Sequence, residues 1–414
     1  MLQNNPWLSL NVNYKSTTSR LCELGKKYDT DKSSQRSNVS NIRHCHPYTL
    51  FYNSIFKNKC NDSLNIGEIG ILEGSSLRMW LEYFPSANFY GFEYSDYYIN
   101  CFEEKYHDQR VTLAKIDVTN PDSIKNSFKT ADTLYDILID DSTHQFEDQI
   151  RVIENTYQYI KPGGVLIIED IFKRYNEKDY IARLAPILEH FQDFYFISLD
   201  HVNRNSTGWD NDKLFVLIKN GAEPIFKNSN KITIITPSYR LNNLEKLYRS
   251  INFDYVDEWI IVYDENKIKE NPKMFKEHEK VTEYLHTSEG ISGNPQRNYA
   301  LTKLKNKHTF LYYLDDDNVI HPHLYKLLNI IENNKIYSFN QASRLRGDNL
   351  CLDKVDTAMV LINNNICDNL AWRKNVYGAD GFYIETIYRN NKDKHVFIDN
   401  ELCFYNALSE STTK

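Results

Sequence analysis

The sequence predicts a mixed α/β fold divided into two domains. Short apolar runs alternate with polar, helix-permissive stretches along most of the chain, a pattern that is typical of βαβ units and parallel sheets. The 414 residues also exceed the length at which one hydrophobic core usually stops growing. A polar stretch near the middle of the chain separates the two α/β halves.

This polar stretch, Asn220–Lys231, contains glycine, proline and several asparagine and lysine residues, and we interpret it as the connection between the domains. We expect a first domain at residues 1–222, a linker at 223–230 and a second, smaller domain at 231–408. The last residues, 409–414, are expected to form a disordered tail.

The bulk composition excludes several classes of protein. Hydrophobic residues make up 41% of the chain and charged residues 25%, as in a soluble globular protein. No apolar run approaches the ~20 residues that span a bilayer, and the N-terminus lacks the features of a signal peptide. We therefore expect a cytoplasmic protein without a membrane span. The net charge of −7 argues against nucleic acid as a partner, whereas a homo-oligomer is compatible with the sequence.

The first half of the chain contains short apolar runs that predict strands, with helical stretches between most of them. A longer loop separates the last two runs, which we expect to pair antiparallel. The runs are Leu64–Ile69, Asn88–Phe92, Val111–Lys115, Tyr135–Ile139, Gly164–Ile168, Phe194–Leu199 and Leu214–Lys219.

A glycine-containing loop follows the first of these strands. Gly70 and Gly74 lie where the backbone would turn sharply or approach a ligand, and ligands of parallel sheets bind beyond the carboxyl ends of the strands. The next strand ends at Glu93, which can bind two ribose hydroxyls, and Asp117 follows the third strand, where an adenine would lie. The pattern G-x-G-x-x-G is absent, which disfavours a dinucleotide site. A plain strand–helix turn remains the other interpretation.

Acidic residues follow the fourth and fifth strands. Asp141 comes after the fourth, and Glu169 and Asp170 come after the fifth. Carboxylates from neighbouring strand ends can bind a hard divalent cation, and His144 would stand beside it as a candidate base. In the other interpretation the acids cap helices and His144 is a surface residue.

Several short blocks occur together in the first half. They are Lys27–Lys32 (KYDTDK), His46–Tyr48 (HPY), Glu68–Gly70, Ser76–Trp80, Tyr83–Pro85, Asp140–His144 (DDSTH), Ile168–Ile171 and Gly208–Asp212 (GWDND). Through these blocks residues 21–219 resemble the macrocin O-methyltransferase group, which are Rossmann-like class I methyltransferases that modify sugar hydroxyls of macrolides.

This resemblance implies S-adenosylmethionine as methyl donor, a Mg²⁺ ion and a histidine base. The positions implied for the cofactor are Glu68, Gly70, Glu93, Asp117 and Asp140. Those implied for the metal are Asp141, Glu169 and Asp170, with His144 as the catalytic base.

In the second half an acidic triplet follows an apolar strand. Phe310–Leu314 runs directly into Asp315, Asp316 and Asp317. Consecutive carboxylates repel one another unless a cation lies among them, and Mg²⁺ or Mn²⁺ that also binds a diphosphate would relieve this repulsion. A solvated acidic loop is the other interpretation.

Further residues of the second half fit a nucleotide site. Tyr239 lies in the loop after the strand Ile232–Thr236, and Asp264 ends the following strand. Arg297 lies in a turn and can pair with phosphate. Asp380 is a candidate base for an acceptor hydroxyl, although an aspartate before glycine also commonly forms a turn.

Residues 230–405 resemble GT-A glycosyltransferases. The resemblance implies that Asp315 and Asp317 form the D-x-D element, which binds a metal ion and a UDP- or GDP-type nucleotide sugar. It implies that Asp380 is the catalytic base of an inverting enzyme. The residues implied near the base and ribose are Thr236, Tyr239 and Asp264.

Together the two halves predict a bifunctional enzyme that modifies a glycan or glycoconjugate. A Mg²⁺-dependent O-methyltransferase of a sugar hydroxyl would be fused to a metal-dependent glycosyltransferase. Three alternatives stay open. The first domain could be a degenerate glycan-binding module, because Glu73 is unusual so near a cofactor carboxylate. The methylated substrate could be a small phenol, or the chain could be a scaffold with vestigial sites.

Overall fold

The structure is a computed structural model that describes residues 7–15, 19–34, 45–201, 210–226, 230–287 and 289–408. The expected tail lies outside the described residues, as do residues 227–229 of the expected linker and Gly208 and Trp209 of the last sequence block.

The chain divides into two units. Unit 1 is Met1–Asn11 with Thr17–Lys227, and unit 2 is Val12–Ser16 with Asn228–Lys414. The division at residue 227 falls inside the stretch where we expected a linker. The sequence did not indicate that Val12–Ser16 belongs to unit 2.

The elements of the first half alternate between strand and helix. In chain order they are β1 (Leu8–Tyr14), α1 (Arg20–Tyr28), α2 (Tyr48–Phe56), β2 (Asn65–Ile69), α3 (Ser75–Tyr83), β3 (Asn88–Glu93), α4 (Asp96–Lys105), β4 (Val111–Lys115), α5 (Pro121–Ala131), β5 (Tyr135–Asp140), α6 (Phe146–Thr156), β6 (Ile160–Ile168), α7 (Glu177–Leu188), β7 (Phe191–His201) and β8 (Lys213–Lys219).

Strands β2 to β8 of unit 1 are arranged in the order β4-β3-β2-β5-β6-β8-β7. Strands β2 to β6 pair parallel, whereas β8 is antiparallel to both of its neighbours, so the antiparallel pairing expected for the last two runs is confirmed. The chain leaves β2 towards β3 and β4, then returns to the other side of β2 with β5. The reversal creates a crevice beyond the carboxyl ends of β2 and β5, where open sheets bind ligands.

The elements of the second half follow a similar alternation. In chain order they are β9 (Ile232–Ser238), α8 (Leu241–Ser250), β10 (Val256–Asp264), β11 (Val281–His286), α9 (Asn294–Leu301), β12 (Phe310–Tyr313), α10 (His323–Leu328), β13 (Ile336–Gln341), β14 (Val360–Asn363), α11 (Ala379–Asn390) and β15 (His395–Cys403).

The sheet of unit 2 has the order β11-β10-β9-β12-β14-β13-β15. Strands β9 to β12 are parallel, β14 runs antiparallel to β12 and β13, and Val12–Tyr14 pairs antiparallel with β15. The strand order reverses between β9 and β12, so this unit also has a crevice at a reversal point. Within the described residues, no helix combines the length and apolar character needed to cross a membrane.

His395, the first residue of β15, gives unit 2 a pH-dependent stability. Its imidazole is buried and lies 2.7 Å from the hydroxyl of Ser338 through Nε2. Burial lowers the pKa of His395 from 6.5 to about 3. Between these two pH values the unfolded chain therefore binds a proton that the folded chain does not bind.

We expect this difference to destabilise unit 2 as the pH falls from 7 to 5. The loss in the free energy of unfolding should be about 2 kcal/mol, because the unfolded histidine is protonated at pH 5 and the buried one is not. Urea unfolding of the wild type and His395→Asn at both pH values tests this. The stability difference between the two proteins should shrink at pH 5, and a constant difference would contradict the assignment.

Candidate functional site

A cavity of about 970 Å³ lies in unit 1 beyond the carboxyl ends of the parallel strands. Most of the residues that the sequence predicted for the first site line it. They are Gly70, Glu93, Asp117, Asp141, His144, Glu169 and Asp170. These residues come from loops that are far apart in sequence and that the sheet brings together.

Gly70 permits the close approach of two of these loops. Its φ angle is +86°, and a Cβ atom there would lie 2.2 Å from the carbonyl oxygen of Asp141. The Gly70 N–H donates to the Phe92 carbonyl at 2.8 Å, and the Asp141 N–H donates to the Ile69 carbonyl at 2.9 Å. Only glycine satisfies both the backbone angle and the spacing at this position.

Glu93 and Asp117 are fixed by hydrogen bonds to nearby backbone. The carboxylate of Glu93 accepts from the N–H groups of Leu72 at 2.9 Å and Ser95 at 3.0 Å. Asp117 accepts from the N–H of Thr119 at 2.9 Å and from its hydroxyl at 2.7 Å. Both carboxylates therefore have fixed orientations in the cavity wall and retain acceptor capacity for hydroxyl or amino groups of a ligand.

Glu68 and Asp140 are not among the residues that line the cavity, and their predicted contact with a cofactor stays a prediction. Both are buried, although they lie at or next to the carboxyl ends of β2 and β5. Glu68 accepts from the Ser76 hydroxyl at 3.0 Å, and Asp140 accepts from the Ser142 hydroxyl at 2.7 Å. Burial raises the pKa of Asp140 to about 7.

Asp141, His144 and Asp170 form a group that could hold a metal ion. One ligand atom from each lies within 4.8 Å of the others. His144 Nε2 is 3.5 Å from Asp170 Oδ2, and His144 Nδ1 is 4.0 Å from Asp141 Oδ1. His144 and Asp170 have φ angles of +59° and +55°, in the left-handed region that residues other than glycine adopt less often. Such strain is concentrated at functional sites because the surrounding structure must maintain it.

Glu169 is not a member of this group although it lines the same cavity, and its predicted role as a metal ligand stays a prediction. Its carboxylate accepts hydrogen bonds from the Tyr52 hydroxyl and the Lys32 ammonium instead. Because these buried donors occupy Glu169, the group in this structure consists of Asp141, Asp170 and the predicted base His144.

A buried polar layer supports the acidic residues, and sequence reasoning assigned its members no role. The Tyr48 hydroxyl donates to Asp170 Oδ1 at 2.5 Å. His46 Nδ1 lies 2.8 Å from Asp212 Oδ1, and His46 Nε2 lies 3.5 Å from Asp170 Oδ1. The HPY block and the following helix α2 could have indicated this layer, because every residue of α2 is buried, including the polar ones.

The pKa shifts in this region indicate an excess of negative charge. Burial raises the pKa of the Asp141 and Glu169 carboxyl groups, and the neighbouring Lys32 opposes this shift. Burial alone would lower the pKa of Lys32, but the surrounding carboxylates outweigh it and raise that pKa well above its usual range. The raised pKa of Lys32 follows from several carboxylates surrounding one ammonium, and this excess of negative charge favours binding of another cation.

The comparisons with known proteins concern this unit. Residues 68–171 match a family described as a methyltransferase domain. Demethylmacrocin O-methyltransferase of Streptomyces fradiae is 29% identical over 139 residues, which cover 31% of this chain and 33% of the relative. The 8-demethyl-8-alpha-L-rhamnosyl tetracenomycin-C 2'-O-methyltransferase of Streptomyces olivaceus is 27% identical over 139 residues, which cover 31% of this chain and 34% of the relative. The chain thus spans about a third of the length of these curated relatives.

Among solved structures, MycE methyltransferase from the mycinamycin biosynthetic pathway, in complex with Mg and SAH, is 18% identical. The aligned region covers 50% of this chain and 55% of the MycE chain, with a TM-score of 0.36. Unit 1 has a mixed α/β class I methyltransferase fold and resembles the macrocin-type sugar O-methyltransferases, in agreement with the family match and the curated relatives.

Unit 2 contains a second cavity, of about 700 Å³, beyond the carboxyl ends of β9, β10 and β12. The predicted residues that line it are Tyr239, Asp264, Arg297, Asp315, Asp317 and Asp380. Thr236 is not among the residues that line it, and its predicted place near a nucleotide stays a prediction. Its side chain is buried and accepts a hydrogen bond of 2.9 Å from Trp259 Nε1.

The middle residue of the acidic triplet, Asp316, anchors the loop after β9. Its carboxylate accepts from the Ser238 hydroxyl at 3.0 Å and from the N–H groups of Tyr239 and Arg240, both at 2.8 Å. Arg240 Nη1 also donates to it at 2.5 Å. Asp316 is therefore a structural acceptor, and the two acids beside it remain for a ligand.

Asp315 and Asp317 each lie beside a guanidinium group. The buried Arg297 pairs with Asp315, and Arg240 Nη1 lies 3.1 Å from Asp317 Oδ2. Burial raises the pKa of both carboxyl groups, and for Asp315 Arg297 opposes the shift. Alternating acids and guanidinium groups suit a metal–diphosphate ligand, because the acids can bind the cation and the arginines the phosphates.

Asp380 lies in the first turn of α11 at the wall of the same cavity. Burial raises the pKa of its carboxyl group. A carboxylate with a raised pKa is a stronger base than an exposed one, which fits the predicted role in accepting a proton from a hydroxyl.

We expect Asp316→Ala to destabilise unit 2 by about 1–3 kcal/mol, because it leaves the buried Ser238 hydroxyl and the N–H groups of Tyr239 and Arg240 without their acceptor. Asp317→Ala is the matched control, and its pairing with a partly exposed arginine should contribute less than about 1 kcal/mol. Urea unfolding of the two variants measures the difference. Equal destabilisation would show that Asp316 is not the structural member of the triplet.

Proposed function

We propose that unit 1 is an S-adenosylmethionine-dependent O-methyltransferase that uses Mg²⁺ and acts on a sugar hydroxyl. The observation that carries the proposal is the group Asp141, His144 and Asp170 in the wall of a cavity at a reversal point of the sheet. The cavity volume of about 970 Å³ is at the upper end of ordinary small-molecule sites, so both a cofactor and an acceptor group fit the available space.

The residues of the cavity can divide the work of methyl transfer. Asp141 and Asp170 would hold the cation, because carboxylate oxygens suit Mg²⁺. A bound divalent cation supplies electrostatic stabilisation of negative charge on a substrate oxygen. His144, which is partly exposed to the cavity, would accept the proton of the attacking hydroxyl at a ring nitrogen. Glu93 and Asp117 would orient the ribose and adenine of the cofactor.

The sugar as acceptor rests on the names of the relatives. The protein of Streptomyces olivaceus is named for 2'-O-methylation of a rhamnosyl tetracenomycin. A group of two carboxylates and a histidine would also serve a catechol, since either substrate offers adjacent oxygens. A small phenol therefore remains the second candidate, and a sugar is favoured by these relatives.

We propose further that unit 2 is a glycosyltransferase for a UDP- or GDP-type nucleotide sugar with Mn²⁺ or Mg²⁺. The supporting observation is the position of Asp315 and Asp317 at the reversal between β9 and β12, beside Arg240 and Arg297. Asp380 would accept the proton of the acceptor hydroxyl. The two units would then act on the same glycan or glycoconjugate, with the order of the reactions open.

Donor turnover by unit 2 can be tested separately from methyl transfer. We expect Asp317→Ala to abolish the hydrolysis of a nucleotide sugar in a UDP-, GDP- and TDP-sugar panel with Mn²⁺, because it removes a metal ligand. We expect His144→Ala to lower methyl transfer by about 100-fold or more, because it removes the base. Each variant should retain the other activity. Loss of both activities in a folded single variant would rule out two independent sites.

Binding of S-adenosylmethionine distinguishes an active methyltransferase from a degenerate module. We expect isothermal titration of the wild type to show one binding event. Glu73, which lines the cavity, should tolerate replacement by glutamine without loss of binding. Glu93→Ala should weaken binding about tenfold or more, because it removes an acceptor for the ribose. If the wild type does not bind the cofactor, the module interpretation of unit 1 is favoured.

A further inference from the structure

Asn211 lies in the wall of the cavity of unit 1, shortly before β8 begins. Its side chain is buried, with 3% of the residue exposed, and its Oδ1 atom has no hydrogen-bond partner among the residues that the structure describes. A buried amide oxygen that gives up water without finding another donor destabilises the folded chain. Native proteins keep such atoms where water, an ion or a ligand completes them. The unpaired oxygen therefore indicates a ligand at this point of the wall.

A second polar atom in the wall of this cavity is also unpaired. His144 Nδ1 is buried and has no hydrogen-bond partner within the described part of the chain. The nearest printed acid atom, Asp141 Oδ1, lies 4.0 Å away, which is too far for a hydrogen bond. His144 belongs to the group that could hold a metal ion. Unpaired atoms therefore occur both within this group and at Asn211.

The hydroxyl of Tyr48 holds Asn211 close to Asp170. It lies 2.5 Å from Asp170 Oδ1 and 3.0 Å from the backbone carbonyl oxygen of Asn211. Tyr48 is fully buried, so its hydroxyl is restricted to these neighbours. Asn211 is therefore separated from a member of the metal-binding group by a single hydroxyl group.

Backbone hydrogen bonds also hold the segment after β6 beside the segment before β8. The Ile171 N–H donates to the Lys213 carbonyl at 3.0 Å, and the Lys173 N–H donates to the Asp210 carbonyl at 2.8 Å. Asn211 lies between the two accepting residues. Its position beside the acidic end of β6 is thus fixed by the backbone and does not depend on its own side chain.

A neutral oxygen is a suitable additional ligand at this place. Mg²⁺ and Mn²⁺ prefer oxygen, and amide carbonyls serve as ligands as carboxylates do. The carboxylates of Glu68, Asp141 and Glu169 already surround one ammonium, that of Lys32. A further carboxylate would add to the repulsion among these acids, whereas an amide oxygen would not.

We propose that Asn211 provides its amide oxygen as a further ligand to the cation that Asp141 and Asp170 would hold. Rotation of the amide about its last bond exchanges oxygen and nitrogen, and no described donor fixes the oxygen. This role is compatible with Glu169 as another ligand of the same ion. The inference rests on the Mg²⁺-dependent methyltransferase function proposed for unit 1.

The test measures Mn²⁺ binding to the full-length chain through the electron paramagnetic resonance signal of the free ion. Every protein carries Asp317→Ala, which removes the metal site proposed for unit 2. We expect Asn211→Leu to weaken Mn²⁺ binding about tenfold, because leucine has a similar branched shape but no oxygen. The relaxation enhancement of water protons by the bound ion should rise, because water takes the position of the lost ligand.

Two further variants separate a ligand from a merely structural residue. Asn211→Asp keeps the oxygen and should bind Mn²⁺ at least as tightly as the parent, because it adds a charge of opposite sign. Asn155→Leu removes another buried amide of unit 1, in α6, that is not among the residues lining the cavity. It should leave Mn²⁺ affinity and water relaxation unchanged. A cooperative urea transition shows that each variant is folded.

The outcomes distinguish the inference from the function on which it rests. Unchanged Mn²⁺ affinity in folded Asn211→Leu would overturn the ligand role and leave the methyltransferase proposal standing. Weaker binding without a rise in water relaxation, or without recovery in Asn211→Asp, would do the same. If the parent binds S-adenosylmethionine but no Mn²⁺, the metal requirement of the proposed function fails together with the inference.

Discussion

The ammonium of Lys32 is the interaction on which the first cavity depends. Strand ends of a parallel sheet bring acidic side chains together, and without a counter-charge these would repel one another or take up protons. Burying that counter-charge is costly unless several partners surround it, and here carboxylates of Glu68, Asp141 and Glu169 do so. The remaining excess of negative charge faces the cavity, where a ligand can use it.

Unit 2 meets the same constraint with different residues. The three acids of its triplet have different roles. Asp316 accepts hydrogen bonds from backbone N–H groups and from Arg240, and Asp315 and Asp317 line the cavity beside it. Arginines from other loops take the part that Lys32 takes in unit 1. In both units the strand order of the sheet reverses beside the acids. The topology therefore brings the carboxylates together, and nearby lysine or arginine side chains reduce the repulsion between them.

The sequence predicted the parallel strands of unit 1 because each contains a short, mainly apolar run, even in the edge strand β4, where no residue is buried. In unit 2 it missed β11 and β15, whose half-buried or irregular residues show no such run. It also missed β13 and β14, although nearly all of their residues are buried. In unit 1 it passed over β1, although its buried and more exposed residues alternate. Most cavity residues could be found because an acid after a strand is a local signal. Lys32 could not be assigned, since its partners Asp141 and Glu169 lie 109 and 137 residues away.

The first strand has a consequence for dividing the protein. Val12, Asn13 and Tyr14 pair with Ile398, Phe397 and Val396 of β15, so unit 2 takes its outer antiparallel partner from the opposite end of the chain. A truncated polypeptide beginning after the linker would present the unpaired N–H and C=O groups of β15, which is a template for aggregation. Autonomous folding of the C-terminal half therefore calls for a circular permutation or fusion that returns the β1 segment.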